Sequence, residues 1–349
     1  AGQFGYGAEG QSMVYRYPPW ELTSPGLLGI SESVCALREH DGYLYANTES
    51  SGDIYRTADG DHWELQYDGD DGSIGCGLAA LGGTLYAVSY GNALEEHGRI
   101  LQQVGTQWQV VYDSQADPLY LREIVAFGGT LYAFGVQDTQ PWVIQSGDGV
   151  TWTPQQVDHR YFRGHVWAGA LWLGSASLYA GTTAAVYRFD GYQYAMTHAQ
   201  PQRSHVADLQ DWEGRLYAST SNGWKTESGP STLLVSADGQ TDWKTACTFT
   251  ETAAWSLAVH DGSLYVGTWE FGVGGHVYQV ERTLVQPVDC SLIGQANAAW
   301  QVCETGPGFC AGVFTDGAGC AAFCAPVGLP CTARFGGDPG CTKEPDNVL

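Results

Sequence analysis

Two stretches of this chain carry the residue types that acid–base chemistry or anion recognition needs. One runs Asp158-His159-Arg160-Tyr161-Phe162-Arg163-Gly164-His165, and the other His198-Ala199-Gln200-Pro201-Gln202-Arg203-Ser204-His205. A third, Tyr120-Leu121-Arg122-Glu123, adds another cation. The formal net charge is −23, so cations gathered in a few short stretches stand out. Forked guanidiniums at Arg122, Arg163 and Arg203, with His159 beside them, suit a sugar carboxylate. A uronic-acid polymer held in this way is open to β-elimination. A positioned His or Tyr removes the proton next to the carboxylate, and the cations stabilise the enolate-like charge that develops. His165, His205 and Tyr161 are the acid and base candidates. A second chemistry uses the same imidazoles. His165 and His205 both precede Val and are expected to open adjacent inner strands, within several ångströms of each other, where neutral rings bind a transition metal. A third reading is structural, with these groups satisfying carbonyls or pairing with Asp158 and Asp208.

Aromatic residues offer a binding role without catalysis. Trp224 and Trp269, like Tyr90 and Trp142, fall between strand patterns where a ring can stack on a sugar or fill a gap in the core. The acidic runs Asp68-Gly69-Asp70-Asp71 and Asp113 to Asp117 are the places where Ca2+ would bind. A glycosidase needs two opposed carboxylates. The candidates are Asp117, Glu123, Asp158 and Glu270, and the basic character of the cluster ranks hydrolysis below elimination.

Composition narrows the class. With 38 acidic and 15 basic residues, duplex nucleic acid and anionic membranes are poor partners. Glycine at 47 residues, 20 Tyr and 13 Trp, with only 2 Met, describe turns and strands rather than helices. The longest uncharged stretch, Val166 to Tyr187, is rich in Gly, Ser and Thr and reads as two strands, so no membrane span is expected. Seven of the 10 cysteines fall between Cys290 and Cys341 without a CxxC pair, which reads as disulfides in an oxidising compartment, secreted or periplasmic. A start at Ala1 is what a processed mature chain would show.

A repeat positions these residues. Leu-Tyr followed by Ala or Val recurs with its tyrosine at Tyr45, Tyr86, Tyr132, Tyr179, Tyr217 and Tyr265, at intervals of about 40 to 50 residues. A short turn precedes each pair: Asp41-Gly42, Gly82-Gly83, Gly128-Gly129, Gly174-Ser175, Glu213-Gly214 and Asp261-Gly262. Each unit reads as apolar strand, turn, Leu-Tyr strand, third strand, turn and Trp-bearing strand, which is the pattern of a propeller blade. The tail loses the repeat and has too little apolar matter to fold without staples. Cys35 and Cys76 occupy the same register in consecutive repeats and are expected to pair.

The turns between third and fourth strands carry a family resemblance. Thr57-Ala58-Asp59-Gly60-Asp61-His62-Trp63, Ser146-Gly147-Asp148-Gly149-Val150-Thr151-Trp152 and Ser236-Ala237-Asp238-Gly239-Gln240-Thr241-Asp242-Trp243 resemble the repeats of Asp-box (BNR-type, sialidase-like) β-propellers. The resemblance covers about residues 30–290. It implies a propeller whose boxes lie on the face away from the ligand site, so Asp59, Asp148 and Asp238 are expected to be structural. Three arginines at successive repeat entrances are similar to the sialidase cluster, and Arg16-Tyr17-Pro18 is faintly similar to its Arg-Ile-Pro motif. No Tyr-Glu nucleophile pair accompanies them.

The expectation is therefore all-β. A six- or seven-bladed β-propeller spans residues 1–289, its ring closed by N-terminal strands in 12–23, and a small cysteine-rich C-terminal segment spans 290–349. Because the repeated residues are structural and the loops differ between repeats, a single site is expected. The leading function is a polysaccharide lyase acting on an acidic glycan. The alternatives are a lectin-like glycan or cell-surface binding module, a His-based metal protein and, less favoured, a sialidase.

Overall fold

A computed structural model describes residues 34–280 apart from 50, 70–73, 91–96, 138, 177–182, 202, 223–228 and 271–273. It also describes 2–3, 13–16 and 21–22 before them, and 289–306, 309–314, 319–327, 335–338 and 342–348 after them. The chain divides into two compact units, Ala1–Val280 and Glu281–Leu349.

The first unit is all-β and propeller-like. Repeat one pairs Val34–His40, Tyr43–Thr48, Ile54–Thr57 and Glu64–Tyr67 in order, all antiparallel. Repeat two begins with Ile74–Leu81, Thr84–Tyr90 and His97–Val104. The long strand Gln107–Phe127 then ends repeat two with its first half and opens repeat three with its second. Thr130–Gln137, Gln140–Ser146 and Thr153–Gln156 complete repeat three. Repeat four comprises Tyr161–Trp167, Ala170–Ser175, Ala184–Phe189 and Tyr194–Gln200. Repeat five comprises His205–Trp212, Arg215–Ser221, Ser231–Ser236 and Lys244–Phe249. Repeat six contributes Ala253–His260, Ser263–Trp269 and Val277–Val280. The inner strand of each repeat lies beside that of the next. Before the repeats, Gly2–Gln3, Met13–Arg16 and Glu21–Leu22 form a small antiparallel sheet.

The first hairpin of every repeat turns through two residues of positive φ, the geometry that a tight two-residue turn requires. Asp41 and Gly42 at 48° and 77°, or Gly128 and Gly129 at 59° and 79°, are typical. Repeat four corrects the sequence reading. Its turn is Ala168-Gly169, at 49° and 73°, and its second strand begins Ala170-Leu171-Trp172. Trp172 stands opposite His165 just as Tyr132 stands opposite Val125 and Tyr217 opposite Gln210. A tryptophan has replaced the repeat's tyrosine. Gly174-Ser175 is strand rather than turn, and Tyr179 lies outside the described residues.

The core lies between sheets rather than within them. Val88 and Ile100 of repeat two pack with Leu121 and Ile124 of repeat three, and Trp172 and Val186 of repeat four with Val206 and Leu234 of repeat five. Each such buried aliphatic side chain contributes about 1.5–3 kcal/mol. The Asp-Gly turns lock these layers. Asp148 Oδ1 accepts the backbone N–H groups of Val150 (2.9 Å) and Thr151 (2.7 Å), while the Gly149 N–H donates to Ser146 Oγ at 2.8 Å. Asp59 and Asp238 repeat the arrangement. These N–H donors hold all three carboxyls below the usual carboxylate range, with the His62 imidazole the largest contribution at Asp59. A fourth turn of this kind, at Asp190, was hidden because Arg188 stands where the others have Ser or Thr. Its Oδ1 takes the N–H groups of Tyr192 and Gln193. Gly149 lies against the Tyr86 side chain of the preceding repeat, and Gly239 against the Trp172 ring.

Cys35 and Cys76 form a disulfide, as expected from their register, and Cys247 is a free thiol. In the second unit, Ser291–Ala296 and Gly319–Cys324 are short helices and Gln301–Gly306 pairs with Phe309–Val313. Ile293, Phe323 and Cys320 form its small core, beside the Cys290–Cys310 disulfide. Among the described residues, no helix is long and apolar enough to cross a membrane.

Candidate functional site

One residue is skipped in the pairing of each inner strand, at an equivalent place: Cys35, Cys76, Arg122, Phe162, Ala207 and Trp255. Such a bulge re-aims the side chains around it. Neighbouring bulges meet across repeats. Cys35 bonds to Cys76, the Arg122 guanidinium lies 4.4 Å from the centre of the Phe162 ring, and Phe162 meets Trp255 edge-on at 5.7 Å. The residues just after the bulges, Ala36, Gly77, Glu123, Arg163, Asp208 and Ser256, form the next ring. The residues two before them include Tyr120, Arg160 and His205, on three consecutive repeats.

This last group is the candidate site. Arg122 Nη1 donates to Tyr120 Oη at 2.7 Å, and Tyr120 packs on Tyr90 with ring centres 4.7 Å apart. Arg160 is part-buried. Its carbonyl accepts the Ala176 N–H, but its guanidinium has no hydrogen-bond or ion-pair partner among the described residues. Burial lowers its pKa most, and the Arg122 charge lowers it further. His205 is buried, 5.0 Å from the Phe162 ring centre. Burial, and then the charges of Arg160 and Arg122, push its pKa down to about 3, so the ring is neutral. Ser204 Oγ donates its only proton to Ser221 O at 3.1 Å, so it accepts from His205 Nδ1–H at 2.7 Å. Two like charges are thus crowded at one entrance, and that of Arg160 has no counterion among the described residues.

The other expected residues are placed differently. Arg163 is used below the bulges, where its Nη1 donates to Glu123 Oε2 at 2.9 Å. Arg203 turns to Asn222 Oδ1 at 2.6 Å, and its buried Nε has no partner among the described residues. Tyr161 is a core residue, not an acid or base. Alternation along the strand sends it between repeats three and four, 5.0 Å from Tyr194 and 5.7 Å from Phe134, and burial raises its pKa. His165 does not open its strand, and it does not meet His205. It sits 2.8 Å from Asp211 Oδ1, six residues further along the repeat-five strand from His205, which is about 20 Å of extended chain. The paired-imidazole metal site is therefore not assembled. Among the described residues, no group of three or more His, Cys, Asp and Glu side chains could hold a metal ion. Asp113 is engaged by His97 and Arg99, each at 3.4 Å, while Asp70, Asp71 and Trp224 lie outside the described residues. His159 is exposed and packs on Tyr187 at 4.6 Å, and Trp269 packs against the cluster of Phe162, Ala207 and Trp255. Arg160 was visible in the sequence but not singled out, because only the pairing register places it level with Tyr120 and His205.

No family model matches the chain, and no curated protein matches it. Solved structures do. The extracellular domain of a putative one component system from B. thetaiotaomicron has a TM-score of 0.51 at 16% identity, covering 75% of this chain and 34% of that one. A nidogen/laminin complex matches with a TM-score of 0.46 at 18% identity, covering 69% of this chain and 90% of that one. At these identities the likeness concerns the fold alone.

Proposed function

We propose that this chain is an extracytoplasmic, Asp-box type propeller of six or seven blades that binds an anionic ligand at the entrance to its inner strands. The ligand class is an acidic glycan, held through a carboxylate, and the role is binding rather than elimination. One observation carries the reading. Arg160 is part-buried beside Arg122 and has no counterion among the described residues, in a chain of net charge −23. An arriving carboxylate would pair with the Arg160 guanidinium and accept its forked N–H donors. Elimination loses ground because its acid–base groups are dispersed. A His205 of pKa about 3 is a weak base at neutral pH, Tyr161 is core, and His165 lies toward the far end of the strand. The disulfides fit an oxidising compartment.

Calorimetric titration with a uronic-acid oligosaccharide and its neutral hexose counterpart tests this. Saturable binding of the acidic sugar alone is expected, weakened at least about tenfold in Arg160→Ala and diminished by salt, with no unsaturated product absorbing in the ultraviolet. Equal binding of both sugars, or an unaffected Arg160→Ala variant, refutes the carboxylate clamp. An accumulating unsaturated product restores the lyase.

A further inference from the structure

Arg160 has a counterpart at the entrance to the next repeat. Arg203 is part-buried, and its Nη1 donates to Asn222 Oδ1 at 2.6 Å. Asn222 is held in turn, since its Nδ2 donates to Gly229 O at 2.8 Å. The amide fixes the direction of the guanidinium but brings no charge. Among the described residues Arg203 forms no ion pair, and burial is what lowers its pKa. Backbone pairing sets its distance from Arg160. The Arg160 carbonyl accepts the Ala176 N–H, Ala176 bridges to His205, and His205 pairs with Ser221, the residue before Asn222. Arg160, Ala176, His205 and Ser221 thus form one row across four strand segments, about 10–15 Å from end to end. Arg203 reaches toward the far end of that row. The residues between, Ala176 and the neutral His205, carry no charge.

We infer that Arg203 is a second anion contact of the same site, and that the ligand is a glycan chain with carboxylates on at least two of its sugars. This rests on the Arg160 reading above and extends it from one carboxylate to a spaced pair. The fold does not itself require a cation at Arg203. Its carbonyl accepts the Ala184 N–H just as the Glu251 carbonyl accepts the Ser231 N–H one repeat later. Glu251 spends its charge within its own repeat, on His276 at 2.6 Å and Tyr278 at 2.9 Å. Arg203 meets only a neutral amide, so its charge is left for an arriving anion. The row is longer than one sugar ring, so a single uronic acid does not bridge its two ends. Once one carboxylate of a chain is held, the next is delivered at high effective concentration. The site therefore selects for length as well as for charge.

The test uses the full chain with galacturonic acid and its α-1,4-linked pentamer, at constant ionic strength. The pentamer is expected to bind at least about thirtyfold more tightly than the monomer, beyond the about fivefold that counting its carboxylates supplies. Arg203→Gln should bring that ratio down to about fivefold while leaving the melting temperature within a few degrees. Arg203→Lys, which keeps the charge without the fork, should recover part of the gain. Arg188→Gln removes a cation at the opposite end of repeat four and should preserve the ratio. Pentamer binding that Arg160→Ala weakens and Arg203→Gln does not would overturn the second contact and leave the carboxylate clamp standing. A ratio of about fivefold in the unmodified chain would do the same. Pentamer binding that neither variant weakens would refute the clamp and this inference with it.

Discussion

Replacing Gly239 by alanine separates two things that the Asp-Gly turn does. The first is local. Gly239 has φ +70°, a conformation that costs a residue with a Cβ about 1–2 kcal/mol. Gly60, in the equivalent turn of repeat one, has φ +82° and open space around it. Gly60→Ala therefore meets only the backbone penalty, less what alanine recovers by restricting the unfolded chain, a net of about 1 kcal/mol. The second function is between repeats. A Cβ on Gly239 would fall inside contact distance of the Trp172 ring, which is fully buried and cannot retreat. Overpacking of this kind costs about 1–3 kcal/mol more. Gly239→Ala should thus destabilise the first unit by about 2–4 kcal/mol in total. At about 2–4 °C per kcal/mol for a unit of this size, its melting temperature should fall well below that of Gly60→Ala. Urea denaturation followed by tryptophan fluorescence reads both variants. Equal losses would refute the claim that these turns brace one sheet against the next.

Other outcomes follow from the same geometry. Replacing both Cys35 and Cys76 by serine removes a cross-link spanning 41 residues, worth about 4 kcal/mol on the chain-entropy account; an unchanged denaturation midpoint would contradict it. Arg163→Leu leaves Glu123 without its counterion and should cost about 3–5 kcal/mol near pH 7. That loss should shrink on acidification, since protonation of Glu123 removes the stranded charge; a loss that grows at low pH would show the pair is not responsible. His205 has a folded-state pKa below its unfolded one, so the unfolded chain binds the extra proton. Stability from this group is present above about pH 6.5 and is lost as pH falls toward about 3. Unfolding curves at pH 7 and pH 4 should show His205→Gln losing less on acidification than the unmodified chain.

Much of this architecture was legible because it is written in turn chemistry. Asp41-Gly42 and Gly128-Gly129 announce two successive positive φ values, and the Asp-Gly boxes announce a carboxylate capping its own backbone. Legibility failed where another residue could do the same work. Ala168 takes φ 49° in repeat four, and Trp172 fills the space that tyrosine fills elsewhere, so the Leu-Tyr signal led to Tyr179 instead. At Asp190 the capping bonds persist without the Ser or Thr that marks the other boxes.

The site was harder to read for a reason of geometry rather than composition. One bulge per inner strand shifts the alternation of side chains, and a single skipped residue leaves no mark in the sequence. The dipeptide His-Val suggested that His165 and His205 are equivalent. Counted from the pairing, the equivalent of His165 is Gln210, and the residue level with His205 is Arg160, whose carbonyl accepts the Ala176 N–H. The same shift divides the arginines. Arg122 is the bulged residue and stays at the entrance over Phe162, whereas Arg163, one place further on, drops into the ring with Glu123 and Asp208. The levels on either side of the bulges thus differ in chemistry, with Arg160 on one and Glu123, Arg163 and Asp208 on the other. The layer of Phe162, Trp255 and the Cys35–Cys76 bridge accompanies Arg122 at the boundary between them.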